Sequence, residues 1–116
     1  MSDNKVVFTE KHITCGDRSW PVNYPVIDAR KIGARIVVIF DRDAGPSWRQ
    51  FQNLHAFDLE GNLLWKAAHP TSETADCYVA FSDGTSRNSL VVYNFQGFDC
   101  HIDLKTGKLI ESRFTK

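Results

Sequence analysis

Cysteine and histidine are the residue types of this chain that could carry nucleophilic chemistry. Cys100 directly precedes His101, and a thiolate nucleophile needs a base of this kind within hydrogen-bond reach. Neighbouring side chains of a β-strand point to opposite faces, so these two cannot easily pair. The alternation of Cys100 with Ile102 and Leu104 instead predicts a buried structural thiol. His101 is then expected on the solvated face.

Two short spacings could contribute to a metal site. His12 and Cys15 have a ligand-like separation, but a structural zinc site usually shows two close pairs and this sequence has one. Asp41 and Asp43, followed by Gly45, resemble the opening of a calcium loop without its third oxygen ligand and its distant glutamate. We therefore predict no metal site, and a turn at residues 41–45.

The signatures of other function classes are missing. The sequence contains no Gly-x-Ser-x-Gly, Gly-x-Gly-x-x-Gly or Gly-x-x-x-x-Gly-Lys motif, which are typical of hydrolases and nucleotide-binding proteins. Its 14 Lys and Arg residues balance 14 Asp and Glu, which disfavours a nucleic-acid partner. The longest uncharged apolar run, 36–40, is far shorter than the roughly 20 residues that span a membrane. We predict a protein that is not an enzyme and has no cofactor, nucleic acid or membrane partner.

The cysteines and the N-terminus bear on the compartment. A polar start at residues 1–5 leads into only three apolar residues, whereas a secretory signal needs an apolar run of about 7 to 15. Cys15, Cys77 and Cys100 are an odd number without short paired spacing, which fits a reducing compartment better than a disulfide framework. We therefore expect a cytoplasmic protein, and leave open whether the cysteines do more than pack.

Tryptophan and arginine supply the candidate binding residues. Aromatic residues make up 12% of the chain, and most of them must fill the core. Trp20 and Trp48 differ from the rest because they lie in polar, proline-containing segments. Since Trp and Arg are the types most enriched at binding hot spots, we predict Trp48, Arg49 and Trp20 as partner-binding residues. The alternative is that these rings cover the open end of a sheet.

Short β-strand patterns must position all of these residues. Apolar and β-branched runs recur about every ten residues and are separated by glycine-bearing turns, which is typical of an antiparallel all-β domain. The predicted strands are 25–32, 34–40, 54–59, 63–65, 78–81, 90–95, 100–104 and 109–114. The sequence therefore predicts one all-β domain over residues 1–116, a twisted antiparallel β-meander of about seven to nine strands.

Two hairpins repeat one another. Asp58 and Asp103 lie 45 positions apart, and each is followed by Leu, a turn, a glycine and a leucine-containing strand. An aspartate at the start of a turn accepts hydrogen bonds from backbone N–H groups two or three residues on. Glycine at the end of the turn takes the left-handed conformation and lets the chain re-enter the sheet. Both aspartates are therefore predicted to make turns rather than to act as catalytic carboxylates.

The first hairpin, Ala56-x-Asp58-x-x-Gly61-x-x-x-Trp65, resembles the repeat of quinoprotein-type (PQQ-like) β-propellers, in which a similar turn precedes a docking Trp. The second hairpin resembles that turn more closely but has Glu111 where the Trp would follow. The resemblance implies propeller-blade-like hairpins, and because these residues are structural in that family, no cofactor is carried over to this chain. A closed propeller needs about four or more blades of about 40 residues, so this chain is too short to close one by itself.

A looser resemblance concerns the C-terminal part, 99–116, which is similar to small bacterial all-β proteins, some of them immunity proteins that neutralise toxins. Together with the missing catalytic motifs, it points to a non-catalytic protein that binds another protein, with toxin neutralisation as the concrete version. Two alternatives stay open: a small-ligand-binding β domain that uses the concave face of its sheet, and a structural homo-oligomer that pairs through an edge strand. The sequence does not identify the partner.

Overall fold

Eleven short strands, each antiparallel to its neighbours, form three sheets in this computed structural model, which describes residues 6–45, 51–71, 76–86 and 88–114. The first sheet contains β1 (Val6–Thr9), β2 (His12–Cys15) and β3 (Arg18–Pro21). The second contains β4 (Val26–Ile32), β5 (Arg35–Phe40), β6 (Leu54–Phe57) and β7 (Leu63–Lys66). The third contains β8 (Tyr78–Phe81), β9 (Leu90–Asn94), β10 (Phe98–Ile102) and β11 (Leu109–Phe114).

The all-β antiparallel class predicted from the sequence is confirmed, but the described residues contain eleven strands in three separate sheets. The predicted strands begin at residue 25, so the prediction misses the whole first sheet. Each strand of that sheet has only four residues, and its inward residues alternate with exposed ones. Such short patterns carry little periodic signal, and Pro21 in β3 weakens it further.

The second sheet is the middle layer, because both of its faces are covered. Its face toward the first sheet carries Ile36 and Val38, which pack with Ile13 and Trp20 in what we call the first core. Its opposite face packs against the third sheet in the second core. Residues 36–40 of β5 are all buried, which explains why this run is almost entirely apolar and β-branched.

The predicted hairpin turns are confirmed. The Asp58 carboxylate accepts hydrogen bonds from the backbone N–H groups of Glu60 and Asn62, each 2.9 Å from Oδ1. Asp103 accepts one from the N–H of Lys105, also at 2.9 Å. These hydrogen bonds to the charged form lower the pKa of both carboxyl groups below the ordinary value.

Successive sheets are joined by a tryptophan of one sheet and a turn glycine of the next. The Trp20 ring of the first sheet packs on Gly61 between β6 and β7, and the Trp65 ring of the second packs on Gly107 between β10 and β11. Both glycines have positive φ, 93° and 79°. An added Cβ would lie 2.7 Å from Trp20 Cδ2 and 2.6 Å from Trp65 Cε3. Only glycine leaves room for these rings.

A buried asparagine ties the second and third sheets together. Asn53 Nδ2 donates to the carbonyl oxygens of Phe40 at 3.0 Å and Tyr78 at 2.8 Å, and its Oδ1 accepts from the Tyr78 N–H at 3.0 Å. The Tyr78 hydroxyl donates to the Ala68 carbonyl at 2.6 Å. Asn53 is 1% exposed, so this side chain replaces water for backbone groups that would otherwise be buried unpaired.

No helix long and apolar enough to cross a membrane occurs within the four described ranges. The one short helical piece there is a 3-10 turn, Arg42–Ala44, whose first N–H groups are capped by Asp41.

We predict that Gly107→Ala destabilises the fold by about 2–4 kcal/mol, because the new Cβ meets the Trp65 ring in a left-handed backbone conformation. Urea denaturation followed by tryptophan fluorescence measures the loss. Gly84→Ala is the matched control, since its Cβ would meet Val91 only at 3.6 Å and should cost less than about 1 kcal/mol. Equal losses for the two variants would show that the Trp–Gly contact does not determine the packing.

Candidate binding pocket

A cavity of about 170 Å³ opens at the edge of the first core, where the chain leaves β3 and passes through residues 22–24. Three aromatic and three aliphatic residues form its apolar part, and one lysine lies among its polar residues. The lining residues are Pro21, Val22, Asn23, Tyr24, Phe40, His55, Phe57, Leu63 and Lys66.

The strand register brings the polar residues of the pocket together. His55 of β6 is paired with Val38 of β5 on one side and with Lys66 of β7 on the other. Directly paired residues of antiparallel strands point to the same face, here the face toward the first sheet. Leu63 and Leu64 of β7 are 50% and 45% exposed. The first core is therefore open beside β7.

Edge-to-face aromatic contacts hold the pocket wall. Tyr24 meets Phe40 with ring centroids 5.7 Å apart and meets Phe51 at 4.8 Å. Phe40 meets the His55 ring at 4.7 Å with an interplanar angle of 67°. These are favoured geometries for aromatic pairs, so the wall is formed before anything binds.

His55 is buried and neutral at neutral pH. Burial lowers its pKa from 6.5 to about 4, against the hydrogen bond to the Gln52 carbonyl, and the nearby charge of Lys66 lowers it further. His55 Nε2 lies 2.8 Å from that carbonyl oxygen. A carbonyl can only accept, so Nε2 carries the proton and Nδ1 is the acceptor of the ring. The pocket thus combines a neutral imidazole, a lysine and aromatic rings in one lining, a set of groups that suits binding.

Burial tests the prediction that Cys100 is a structural thiol. Cys100 is fully buried in the second core, and its pair on β11 is Ser112, whereas His101 is paired with Glu111 on the opposite face. Burial raises the pKa of the Cys100 thiol to about 12 and also raises that of Cys77. Thiols of this kind are poor nucleophiles. The prediction that Cys100 is buried and separated from His101 is confirmed.

The two metal-like spacings do not converge. His12 is exposed, its ring hydrogen-bonded to the Ser19 hydroxyl, while Cys15 is buried in the first core. The Asp41 carboxylate accepts the N–H of Asp43 at 2.9 Å and serves as a helix cap. Across the described ranges no three His, Cys, Asp or Glu side chains come close enough to hold a metal ion.

Of the three predicted partner-binding residues, only Trp20 is described. It is 7% exposed, with its ring beneath the first sheet against Phe57 at a centroid distance of 5.9 Å and on Gly61. This position matches the alternative that the ring covers the end of a sheet. Trp48 and Arg49 lie outside the described residues, so their role stays a prediction.

Sequence reasoning missed the pocket itself. The alternation of residues 54–59 predicts His55 and Phe57 on one face, which is confirmed, but the neighbouring Lys66 belongs to another strand. A register shift between Ala56 and Phe57 sets which residue of β7 lies opposite His55. A bulge of this kind has no reliable signal in a single sequence, so the pair could not be found in advance.

Comparison with known families assigns the chain. The family model described as "Domain of unknown function (DUF7957)" matches residues 3–114. The chain belongs to this family. No curated protein and no solved structure matches it. Because the match spans all three sheets, the pocket lies within the DUF7957 domain.

The neutral His55 predicts a pH dependence of stability for this DUF7957 domain. Between pH 6.5 and about 4 the His55 imidazole is protonated in the unfolded chain but not in the native protein, so stability falls as the pH drops through this window. The loss amounts to about 3 kcal/mol at the lower end. The pKa values of Asp58 and Asp103 are lowered, so the stability that these carboxylates contribute is lost mainly below the ordinary value of 3.8. Their effect on stability is therefore separate from that of His55.

Urea denaturation at pH 7.5, 5.5 and 4.2 measures this dependence, and an NMR titration of the His55 ring measures its pKa directly. His55→Gln should flatten the change between pH 6.5 and 4, whereas His101→Gln on the outer face of the third sheet should retain it. A native His55 that titrates above pH 6 would contradict the buried, neutral assignment.

Proposed function

We propose that this chain is a non-catalytic binding protein whose partner is another protein, and that the partner inserts one side chain into the pocket. The observation that carries the proposal is the cavity of about 170 Å³ between the first and second sheets, which opens directly beside the exposed Leu63 and Leu64 of β7. A preformed pocket next to exposed apolar residues is the usual setting of an interface anchor.

The size of the cavity favours a protein over a free ligand. Sites for drug-sized molecules enclose roughly 300–1,000 Å³, and this cavity of about 170 Å³ is smaller. It has room for a single large side chain. A partner protein can place such a side chain there and gain the rest of its binding energy from the surface around it.

The strand next to the pocket supplies further contacts. Among the described strands β7 pairs only with β6, so one side of β7 remains an edge. An extended segment of a partner can hydrogen-bond along such an edge while its side chains enter pockets on the adjoining face. Leu63 and Leu64 lie on this edge strand.

Toxin neutralisation in the cytoplasm of a bacterium is the concrete version of the proposal. It is supported by the looser resemblance described above and by three buried cysteines that form no disulfide. The proposal also includes the resemblance of the hairpins to quinoprotein-type repeats. It includes as well the partner-binding role predicted for Trp48 and Arg49. Both remain predictions.

A second candidate is a small ligand in the same pocket. It is favoured by the neutral His55 and the ammonium of Lys66 on adjacent strands of one concave surface. A thermal-shift screen of metabolites against the purified chain distinguishes the two candidates. Stabilisation by a small molecule that is lost in the variant Lys66→Met would favour the ligand.

The test of protein binding uses two matched charge insertions. Leu63→Glu places a carboxylate at the rim of the pocket, and Ile110→Glu places one at a residue of the third sheet that is 66% exposed. Proteins crosslinked to the wild-type chain in extracts of its source cells are identified, purified and titrated against all three forms by calorimetry. We expect Leu63→Glu to weaken binding at least tenfold and Ile110→Glu to leave it unchanged. Equal affinities for the two variants would contradict binding at this pocket.

A further inference from the structure

The pocket also specifies what kind of side chain enters it. The rings of Tyr24, Phe40 and Phe57 line the apolar part of the space, and Tyr24 and Phe40 meet edge to face. An aromatic ring fills such a space with favourable edge-to-face contacts. A long flexible side chain would lose more conformational entropy for a similar contact area.

One charge at the pocket determines the polar part of the ligand. Lys66 is the charged member of the lining, and none of the residues that line the pocket is a carboxylate. The ion pair between Glu111 and Arg113 lies on the third sheet, and Lys66 makes none with the described residues. Its neighbour across the strand pair, His55, is uncharged at neutral pH. Within the described part of the chain this lining lysine therefore has no paired anion.

We infer, on the basis of the proposed function, that the partner presents an extended segment in which an aromatic residue and an acidic residue lie two positions apart. The aromatic ring enters the pocket and the carboxylate pairs with the Lys66 ammonium. Residues two positions apart in a strand share one face, so a segment added along β7 directs both side chains toward the first sheet. A basic residue in place of the acidic one would be repelled by Lys66.

Capped pentapeptides test this chemistry with the full chain. The probe has the sequence Thr-Phe-Thr-Glu-Thr, and its variants replace Glu by Gln, Glu by Lys, or Phe by Ala. Each is titrated to about 5 mM into ¹⁵N-labelled protein at low salt. We expect the probe to shift the amide signals of β7 and residues 22–24, and to bind about fivefold to tenfold more tightly than the Gln peptide. The Lys and Ala peptides should bind more weakly still.

Two protein variants identify the charge that is responsible. Lys66→Met keeps the aliphatic stem and should remove the preference for Glu over Gln while retaining the preference for Phe over Ala. Lys105→Met in the turn between β10 and β11 is the control and should leave both preferences intact. Lys66 and Lys105 are both exposed, so neither change is expected to prevent folding, and amide spectra verify this.

The other outcomes distinguish failure of this inference from failure of the proposed function. It is overturned if Glu and Gln peptides bind equally to the wild type, if the Ala peptide binds as well as the Phe peptide, or if no peptide shifts the β7 signals at 5 mM. If Leu63→Glu still weakens the binding of a captured partner protein in any of these cases, the proposed function stands and only the aromatic–acidic specificity is wrong. If the peptides behave as expected but no captured protein depends on Leu63, the peptide specificity of the site stands and the proposed function is wrong.

Discussion

The packing of a tryptophan ring on a left-handed turn glycine sets the relation of each sheet to the next. Trp20 on Gly61 holds the first sheet over the second, and Trp65 on Gly107 holds the second over the third. Glycine is required twice over at these turns, since a side chain would be strained by the positive φ and would collide with the ring. The pocket depends on the first of these contacts. Residues 21–24, which form one of its walls, follow Trp20 directly along the chain.

The third sheet does not continue this arrangement outward. Glu111 is paired with His101 two residues before Asp103, just as Trp65 is paired with Ala56 two residues before Asp58. Glu111 forms an ion pair with Arg113 at 2.8 Å instead of packing on a neighbouring turn. Stacked units need a polar outer face where the stack ends, and a charged residue at the tryptophan position provides it.

The sequence predicted what depends on local pattern. The hairpin turns followed from Asp58 and Asp103, and the strand at 34–40 followed from its apolar, β-branched run, because turn chemistry and strand pattern are encoded in adjacent residues. The first sheet and the pocket could not be predicted in the same way. Trp20 looks like a surface residue in its polar segment and becomes buried only because a distant turn leaves a space for its ring.

The contacts between the first and second sheets differ from those between the second and third sheets, and this difference bears on where binding occurs. The indole N–H of Trp65 donates to the Leu104 carbonyl at 2.8 Å, whereas within the described part of the chain that of Trp20 has no acceptor. Asn53 adds hydrogen bonds between the second and third sheets. Within the described residues the first sheet, with three four-residue strands, is held by a backbone hydrogen bond of 2.7 Å between β4 and the β1–β2 turn and otherwise by apolar contacts. Such contacts tolerate small shifts of one layer over another better than directional hydrogen bonds do, and binding regions are commonly drawn from the less stable part of a fold. The pocket lies at this junction, between the two layers that are joined by fewer hydrogen bonds.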